Sequence, residues 1–238
     1  MFVRRMIRRL VLFVSIAMLL AGFTVAGQGY SMYREALEGM GLEEKVALIQ
    51  QKESYTKLED VPEVYRQAVI SVEDHRFYQH VGIDPIAIGR AALHDIRARR
   101  FVEGGSTITQ QLAKNLYFTQ EKEITRKVAE VFMAFALERD YSKDQILELY
   151  INSIYFGDGY YTVREASQGY FGKEPMEMTE YESTLLAGIP NAPSKYAPSK
   201  NQQLAEKRQR QVLRRMEACG YFSPEEVETV ASQMVAME

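Results

Sequence analysis

The stretch Ser71–Gly82, SVEDHRFYQHVG, decides how the rest of the chain is read. It sets Glu73 and Asp74 side by side, Phe77 one helical turn later, and His80 two residues before Gly82. Adjacent carboxylates beside aromatics are an odd choice for a plain surface helix. A partly buried carboxylate with an acidic neighbour has its pKa pushed upward, which tunes it as a base for near-neutral pH. An ordinary acidic helix end would carry the same pair, so the reading depends on what surrounds it.

Upstream, Leu58-Glu59-Asp60-Val61-Pro62 reads as a helix start, with Asp60 as N-cap and Pro62 in the first turn. A helix over Tyr65–Val72 then delivers Glu73 and Asp74 at its C-terminal end. Downstream, Asp84-Pro85 opens a second helix. Ile86, Ile88, Ala91, Ala92, Leu93 and Ile96 form its apolar face, and Arg90, Arg97, Arg99 and Arg100 its basic side. Such a segment is either a solvated charged face or a surface that rests on anionic headgroups or an anionic lipid substrate. In Glu103–Asn115, EGGSTITQQLAKN, a glycine turn leads into Ser106, Thr107 and Thr109 at a helix start, then Gln110, Gln111, Lys114 and Asn115. Free N–H groups, hydroxyls and a lysine together suit phosphate oxygens. A capped helix start explains Ser106 and Thr107 equally well, but not the polar run after them. The stretch is not a Walker A loop.

Ile124–Asp140 reads as a strong helix, with Val128, Val131, Phe132, Phe135 and Leu137 on its buried side. Arg126 and Glu130 stand four apart, either as a surface pair or facing the same cleft as Glu73. Ser142 caps a helix through Ile146–Asn152, and aromatic glycine turns follow at Ile154–Tyr161 and Tyr170–Lys173. Thr179 and Glu182 make a capping box for Thr179–Ala187. Ile189–Lys200, with three prolines, reads as an extended loop. Leu204–Cys219 is a basic amphipathic helix ended by Gly220, and Ser223–Met237 is the last helix. No run of alternating strands is visible, so the body is mainly α.

Leu10–Gly27 is eighteen residues without a charge. That is roughly 27 Å of helix, close to the thickness of a bilayer's hydrocarbon core. Arg4, Arg5, Arg8 and Arg9 precede it and assign that end to the cytoplasm. A cleaved signal peptide is the competing reading, because Thr24-Val25-Ala26-Gly27 offers small residues, but the run is long for one. The expected organisation is a basic tail over 1–9, a membrane anchor over 10–27, a stalk helix over 28–57 and a catalytic domain over 58–238. Beyond residue 30 the 238-residue chain carries 25 basic against 32 acidic residues, which argues against nucleic-acid binding. The single cysteine, Cys219, excludes an intrachain disulfide.

Taken together, residues 58–222 resemble the peptidoglycan glycosyltransferase (transglycosylase) domain of class A penicillin-binding proteins and of monofunctional transglycosylases. The resemblance rests on five motifs in order. They are EDHRFYQHVG from Glu73, GGSTITQQLAKN from Gly104, RKVAE from Arg126, KDQILELYIN from Lys143, and Tyr170–Lys173 with Glu182–Pro190. No SxxK-type module follows, which points to the monofunctional type or to a piece of a longer bifunctional protein. Thr162 stands where many relatives have glycine, and Lys122 where an arginine is common.

The resemblance implies a lysozyme-like, two-lobed, mainly α catalytic domain behind an N-terminal transmembrane helix, with the domain outside the cell membrane. It implies inverting polymerisation of lipid II, with Glu73 as general base on the acceptor hydroxyl and Glu130 across the cleft. Substrate binding falls to Asp74, Arg90, Ser106, Thr107, Gln110, Gln111, Lys114, Lys122, Arg126 and Lys127. Asp74 also reads as a structural hydrogen-bond acceptor. A divalent cation, Mg or Mn, would be held mainly by the substrate pyrophosphate, with Glu73 or Glu130 as the protein group beside it. No organic cofactor is expected. The partners implied are lipid II, the growing lipid-linked strand, the membrane and other cell-wall synthesis proteins. Two alternatives remain: a lysozyme-type hydrolase using Glu73 and Glu130 as its carboxylates, and a catalytically idle lipid II-binding scaffold.

Overall fold

The structure is a computed structural model that describes residues 2–98, 104–118 and 124–233. Among these there is no strand, only two isolated bridges, Val81 with Ile83 and Gly157 with Tyr160. The architecture is mainly α, as the sequence predicts. Twelve helices are described: α1 (Phe2–Gly39), α2 (Leu42–Gln50), α3 (Glu63–Glu73), α4 (Pro85–Ala98), α5 (Ile108–Tyr117), α6 (Ile124–Asp140), α7 (Lys143–Ile151), α8 (Val163–Phe171), α9 (Glu180–Gly188), α10 (Pro193–Tyr196), α11 (Gln202–Ala218) and α12 (Pro224–Ser232).

Local chemistry sets most of these boundaries. Thr107, Ser142, Thr179 and Ser223 each accept a hydrogen bond from the third helical N–H, and the side chain at that position returns one to the cap's own N–H. A cap of this kind contributes roughly 1 kcal/mol. Asp84 caps α4 by accepting from the N–H groups of Ile86 and Ala87. Pro62, rather than Asp60, occupies the N-cap of α3, because Leu58–Asp60 forms a 3-10 turn of its own. The stretch 189–200 is not extended: it forms a 3-10 turn, Ile189–Asn191, and then α10. Pro190 and Pro193 sit at first-turn positions, where the missing N–H costs nothing and the fixed φ suits a helix.

The core lies where α3, α9 and α11 pack on one another and α5 packs on α6 and α7. Tyr65, Phe77, Leu112, Met133, Leu147, Tyr150 and Phe156 are fully buried there. The segment expected as a stalk behaves differently. Leu42, Val46 and Ile49 of α2 join the core. Thr56 and Asn152 exchange two hydrogen bonds, of 2.8 and 2.7 Å, which fasten the following loop to α7.

The N-terminal apolar run is part of one continuous helix. Arg4–Gly39 is long and apolar enough to cross a membrane, and its most apolar window makes no burial contact with the body. Its C-terminal half packs on α6: Tyr30 and Tyr33 lie against Phe132, and Gly29 lets the backbone approach Val128 closely. This corrects the expected buried side of α6. The helix is sandwiched, with Ala129, Met133, Ala136 and Leu137 facing the core and Val128 and Phe132 facing α1, while Phe135 is exposed. The apolar face expected for α4 is present but unburied. Ala91 is its buried residue, whereas Ile86, Ile88, Leu93 and Ile96 are exposed. Arg99, Arg100 and Lys122 lie outside the described residues, as does the end of the last expected helix after Gln233.

Candidate active site

The doublet Glu73-Asp74 ends α3, and its two carboxylates go separate ways. Asp74, the C-cap residue, is buried. Its Oδ atoms lie 2.9 and 3.0 Å from His80 Nε2, and its Oδ2 also accepts from the N–H of Ile108 at 3.1 Å. A carboxylate is acceptor-only, so His80 is the donor. Asp74 therefore ties its own loop to the start of α5. Arg76 closes the loop with a two-point pair to Asp84, at 2.9 and 3.0 Å. Burial raises the Asp84 carboxyl, but the bonds from Arg76, Ala87 and Ile86 outweigh it and hold the group below its usual value. Potential ligand atoms of Asp74, His80 and Asp84 lie within 4.8 Å of one another. Asp84 is already paired with the Arg76 cation and His80 with Asp74, so the cluster serves as a clamp. Gly82 completes the turn at φ +68°, and its carbonyl accepts from Thr107 Oγ1 at 2.6 Å.

Glu73 faces a cleft of about 620 Å³ whose walls come from α3, α4, the Gly104–Ser106 segment, α5, Pro190-Asn191 and α11. Glu73 Oε2 accepts from Gln111 Nε2 at 2.7 Å. Glu73 Oε1 is buried and has no hydrogen-bond partner among the described residues. Burial pushes the Glu73 carboxyl up; the Gln111 bond and the charges of Arg208 and Lys114 pull it back, while Asp74 adds to the rise, and the net direction is upward. Lys114, one turn after Gln111, is held below the ordinary lysine value by burial, with Lys127 and Arg126 acting the same way and Glu130 opposing them.

Glu130 presents the opposite arrangement. It is only 1% exposed: Oε2 accepts a hydrogen bond from Lys127 Nζ at 2.8 Å, and Oε1 lies 3.4 Å from Arg126 Nε, a charge contact without a hydrogen bond. Lys127 Nζ also donates to Ser106 Oγ at 2.7 Å, which joins this cluster to the cleft wall.

Of the residues expected at the site, Glu73, Asp74, Arg90, Ser106, Gln111 and Lys114 line the cleft. Arg126, Lys127 and Glu130 adjoin it through Ser106 and Lys114. Thr107 and Gln110 are buried and spend their polar atoms on the α5 capping box and on Gly82, so they do not face the cleft. The sequence reading missed an entire wall. Arg208, Gln211, Arg214 and Arg215 of α11 line the same cleft as Lys114, with Pro190 and Asn191. The available signal was the spacing of Arg208, Gln211 and Arg215, which share a strip bordering the buried face of Ala205, Gln209, Val212, Leu213 and Met216.

Comparison with known proteins matches this arrangement to a family. The family model for transglycosylases matches residues 41–217. Penicillin-binding protein 1A of Aquifex aeolicus (strain VF5) is 45% identical over 188 residues, which cover 79% of this chain and 26% of that protein. Penicillin-binding protein 1F of Bacillus subtilis (strain 168) is 44% identical over 195 residues, 82% of this chain and 27% of that one. Among solved structures, penicillin-binding protein 1A from Haemophilus influenzae matches 74% of this chain and 17% of its own, at 25% identity and a TM-score of 0.43. The chain thus spans about a quarter of the length of the curated relatives it matches.

Proposed function

This chain belongs to the transglycosylase family, and on that premise we propose that it is a membrane-anchored peptidoglycan glycosyltransferase that polymerises lipid II. Glu73 is the general base. It takes the proton of the acceptor's 4-hydroxyl as that oxygen forms a bond to the anomeric carbon of the lipid-linked strand. The bond from that carbon to the pyrophosphate oxygen breaks, its electron pair leaves with the polyprenyl pyrophosphate, and the α-linkage becomes a β-1,4 bond. The observation that carries the reading is the half-paired, buried carboxylate of Glu73 in a cleft shared with Lys114. An elevated pKa suits a base that must accept a proton. A pyrophosphate leaving group needs fixed positive charge rather than a carboxylic acid, and Lys114, Lys127 and Arg126 supply it, with Arg208 in the same cleft.

A hydrolase would need a second working carboxylate, and Glu130 is already neutralised by two cations. The charges of Arg126 and Lys127 make Glu130 a poor cation site, and Glu73 stands among Gln111, Lys114 and Arg208, another poor one. No dedicated cage for Mg or Mn follows from these residues, and such an ion would travel on the substrate pyrophosphate. The membrane assignment draws on α1 and on the exposed Ile86, Leu93 and Ile96 of α4. Both would hold the cleft near a lipid-linked substrate, with the N-terminal arginines in the cytoplasm.

The deciding assay is lipid II polymerisation by detergent-solubilised protein, wild type against Glu73→Gln. Strands from the wild type and a loss of at least about a hundredfold in the variant are expected. Shortening of added glycan by the wild type would replace this reading with the hydrolase. Binding of lipid II without turnover would replace it with the scaffold.

A further inference from the structure

We infer that Tyr150 is a positioning residue for the base: its hydroxyl fixes the rotation of the Gln111 amide and so presents an N–H to Glu73. Tyr150 lies on α7, is 1% exposed, and is not among the residues that line the cleft. Its phenol donates to Gln111 Oε1 at 3.3 Å, while Gln111 Nε2 donates to Glu73 Oε2 at 2.7 Å.

A side-chain amide has a donor end and an acceptor end, and turning it over exchanges them. An ionised carboxylate accepts only, so Gln111 must face Glu73 with nitrogen, which leaves its oxygen toward Tyr150. In the reversed rotation the phenol oxygen could accept from Gln111 Nε2, but its buried O–H, which has no other acceptor among the described residues, would be left unpaired, so the present rotation is the favoured one. In the reversed rotation Gln111 Oε1 would face Glu73, and only a protonated Glu73 could bond to it. That form cannot act as a base. Tyr150 thus keeps Glu73 in its working form from about one amide's length away. Tyr65, also 1% exposed and near Glu73 on α3, makes no hydrogen bond to the amide and is not assigned this role.

The inference rests on Glu73 being the base, and the two can fail separately. Polymerisation that survives Glu73→Gln removes the base. The test of Tyr150 is a double-mutant cycle of Tyr150→Phe and Gln111→Ala in the full-length protein, with lipid II turnover measured as kcat and KM separately. Phenylalanine keeps the buried ring, so the melting temperature serves as the control for folding.

Tyr150→Phe is expected to lower kcat about fivefold to tenfold, with KM within about twofold. In the Gln111→Ala background the same change should lower kcat by less than twofold, because the group it acts through is gone. Equal losses in both backgrounds would overturn the inference, since Tyr150 would then act through packing alone. A change in KM without one in kcat would overturn it too. If Gln111→Ala does not fold, Gln111→Met takes its place in the cycle, keeping the length of the side chain without its amide.

Discussion

Glu73, partly buried, and Glu130, fully buried, stand beside one cleft, and the structure treats them in opposite ways. Glu73 has a single neutral donor on one oxygen and, among the described residues, no hydrogen bond and no cation in contact on the other. Glu130 has a hydrogen bond from the Lys127 ammonium on one oxygen and the Arg126 guanidinium 3.4 Å from the other. A carboxylate desolvated without a compensating cation holds its proton more tightly and is free to exchange it. One that is neutralised on both sides is a structural anion that fixes two cations in place. Two residues of one type thereby divide into a chemical role and an electrostatic one. The division comes from neighbours: Gln111 from α5 reaches Glu73, whereas the cations of Glu130 come from its own helix at i−3 and i−4.

The largest expected effect on stability comes from breaking the paired side. Glu130→Gln leaves Arg126, whose side chain is 14% exposed, and Lys127 without their anion. Lys127 is 45% exposed and can turn toward water, so the cost is put at about 2–3 kcal/mol, below that of a deeply buried pair. For a domain of this size that lowers the melting temperature by about 5–10 °C, with turnover reduced by about tenfold. Thermal unfolding of the purified variant checks it. An unchanged melting point together with complete loss of turnover would give Glu130 a chemical role and collapse the contrast.

Substitution on the unpaired side should change stability in the opposite direction, and by an amount that depends on pH. Because the folded-state pKa of Glu73 is raised, its ionisation costs stability. That cost is absent below the ordinary glutamate value of about 4.3 and grows as pH rises through the folded value. Glu73→Gln removes it. The variant should therefore melt above the wild type at neutral pH, and the gap should close as pH falls toward 4. A gap that stays constant with pH would mean that packing, not ionisation, separates the two proteins.

How much of this was readable in the chain depends on the distance over which each fact is decided. The cap of α9 by Thr179 and Glu182 is settled within four residues and was legible. So were the end of α3 at Glu73 and the opening of α4 by Asp84. Thr107 and Gln110 show the limit of local reading. A polar run after a glycine turn suits phosphate and suits a capping box equally, and only the burial of both side chains decides for the box. Leu42, Val46 and Ile49 have ordinary helical spacing, which does not say whether a helix leads away from the body or folds onto it. Arg208 is 135 positions from Glu73, and its place in the cleft depends on α11 packing against α3. That packing is decided by buried faces such as Val212 and Leu213, while the basic face by itself reads as solvated surface.

The smallest expected effect tests how firmly the paired side is held. Ser106 Oγ and Glu130 Oε2 lie at 2.7 and 2.8 Å from the same Lys127 nitrogen. If Glu130 is the anchor, the hydroxyl only adds a neutral acceptor to a partly exposed ammonium, which water replaces at little cost. Ser106→Ala should then leave the melting temperature unchanged and alter KM for lipid II by less than about twofold. Steady-state turnover over a range of lipid II concentrations measures this. A tenfold rise in KM would mean that Ser106 itself touches the substrate and that the ammonium of Lys127 turns away from Glu130 when the cleft is filled. The electrostatic role would then belong to the cations rather than to the glutamate that holds them.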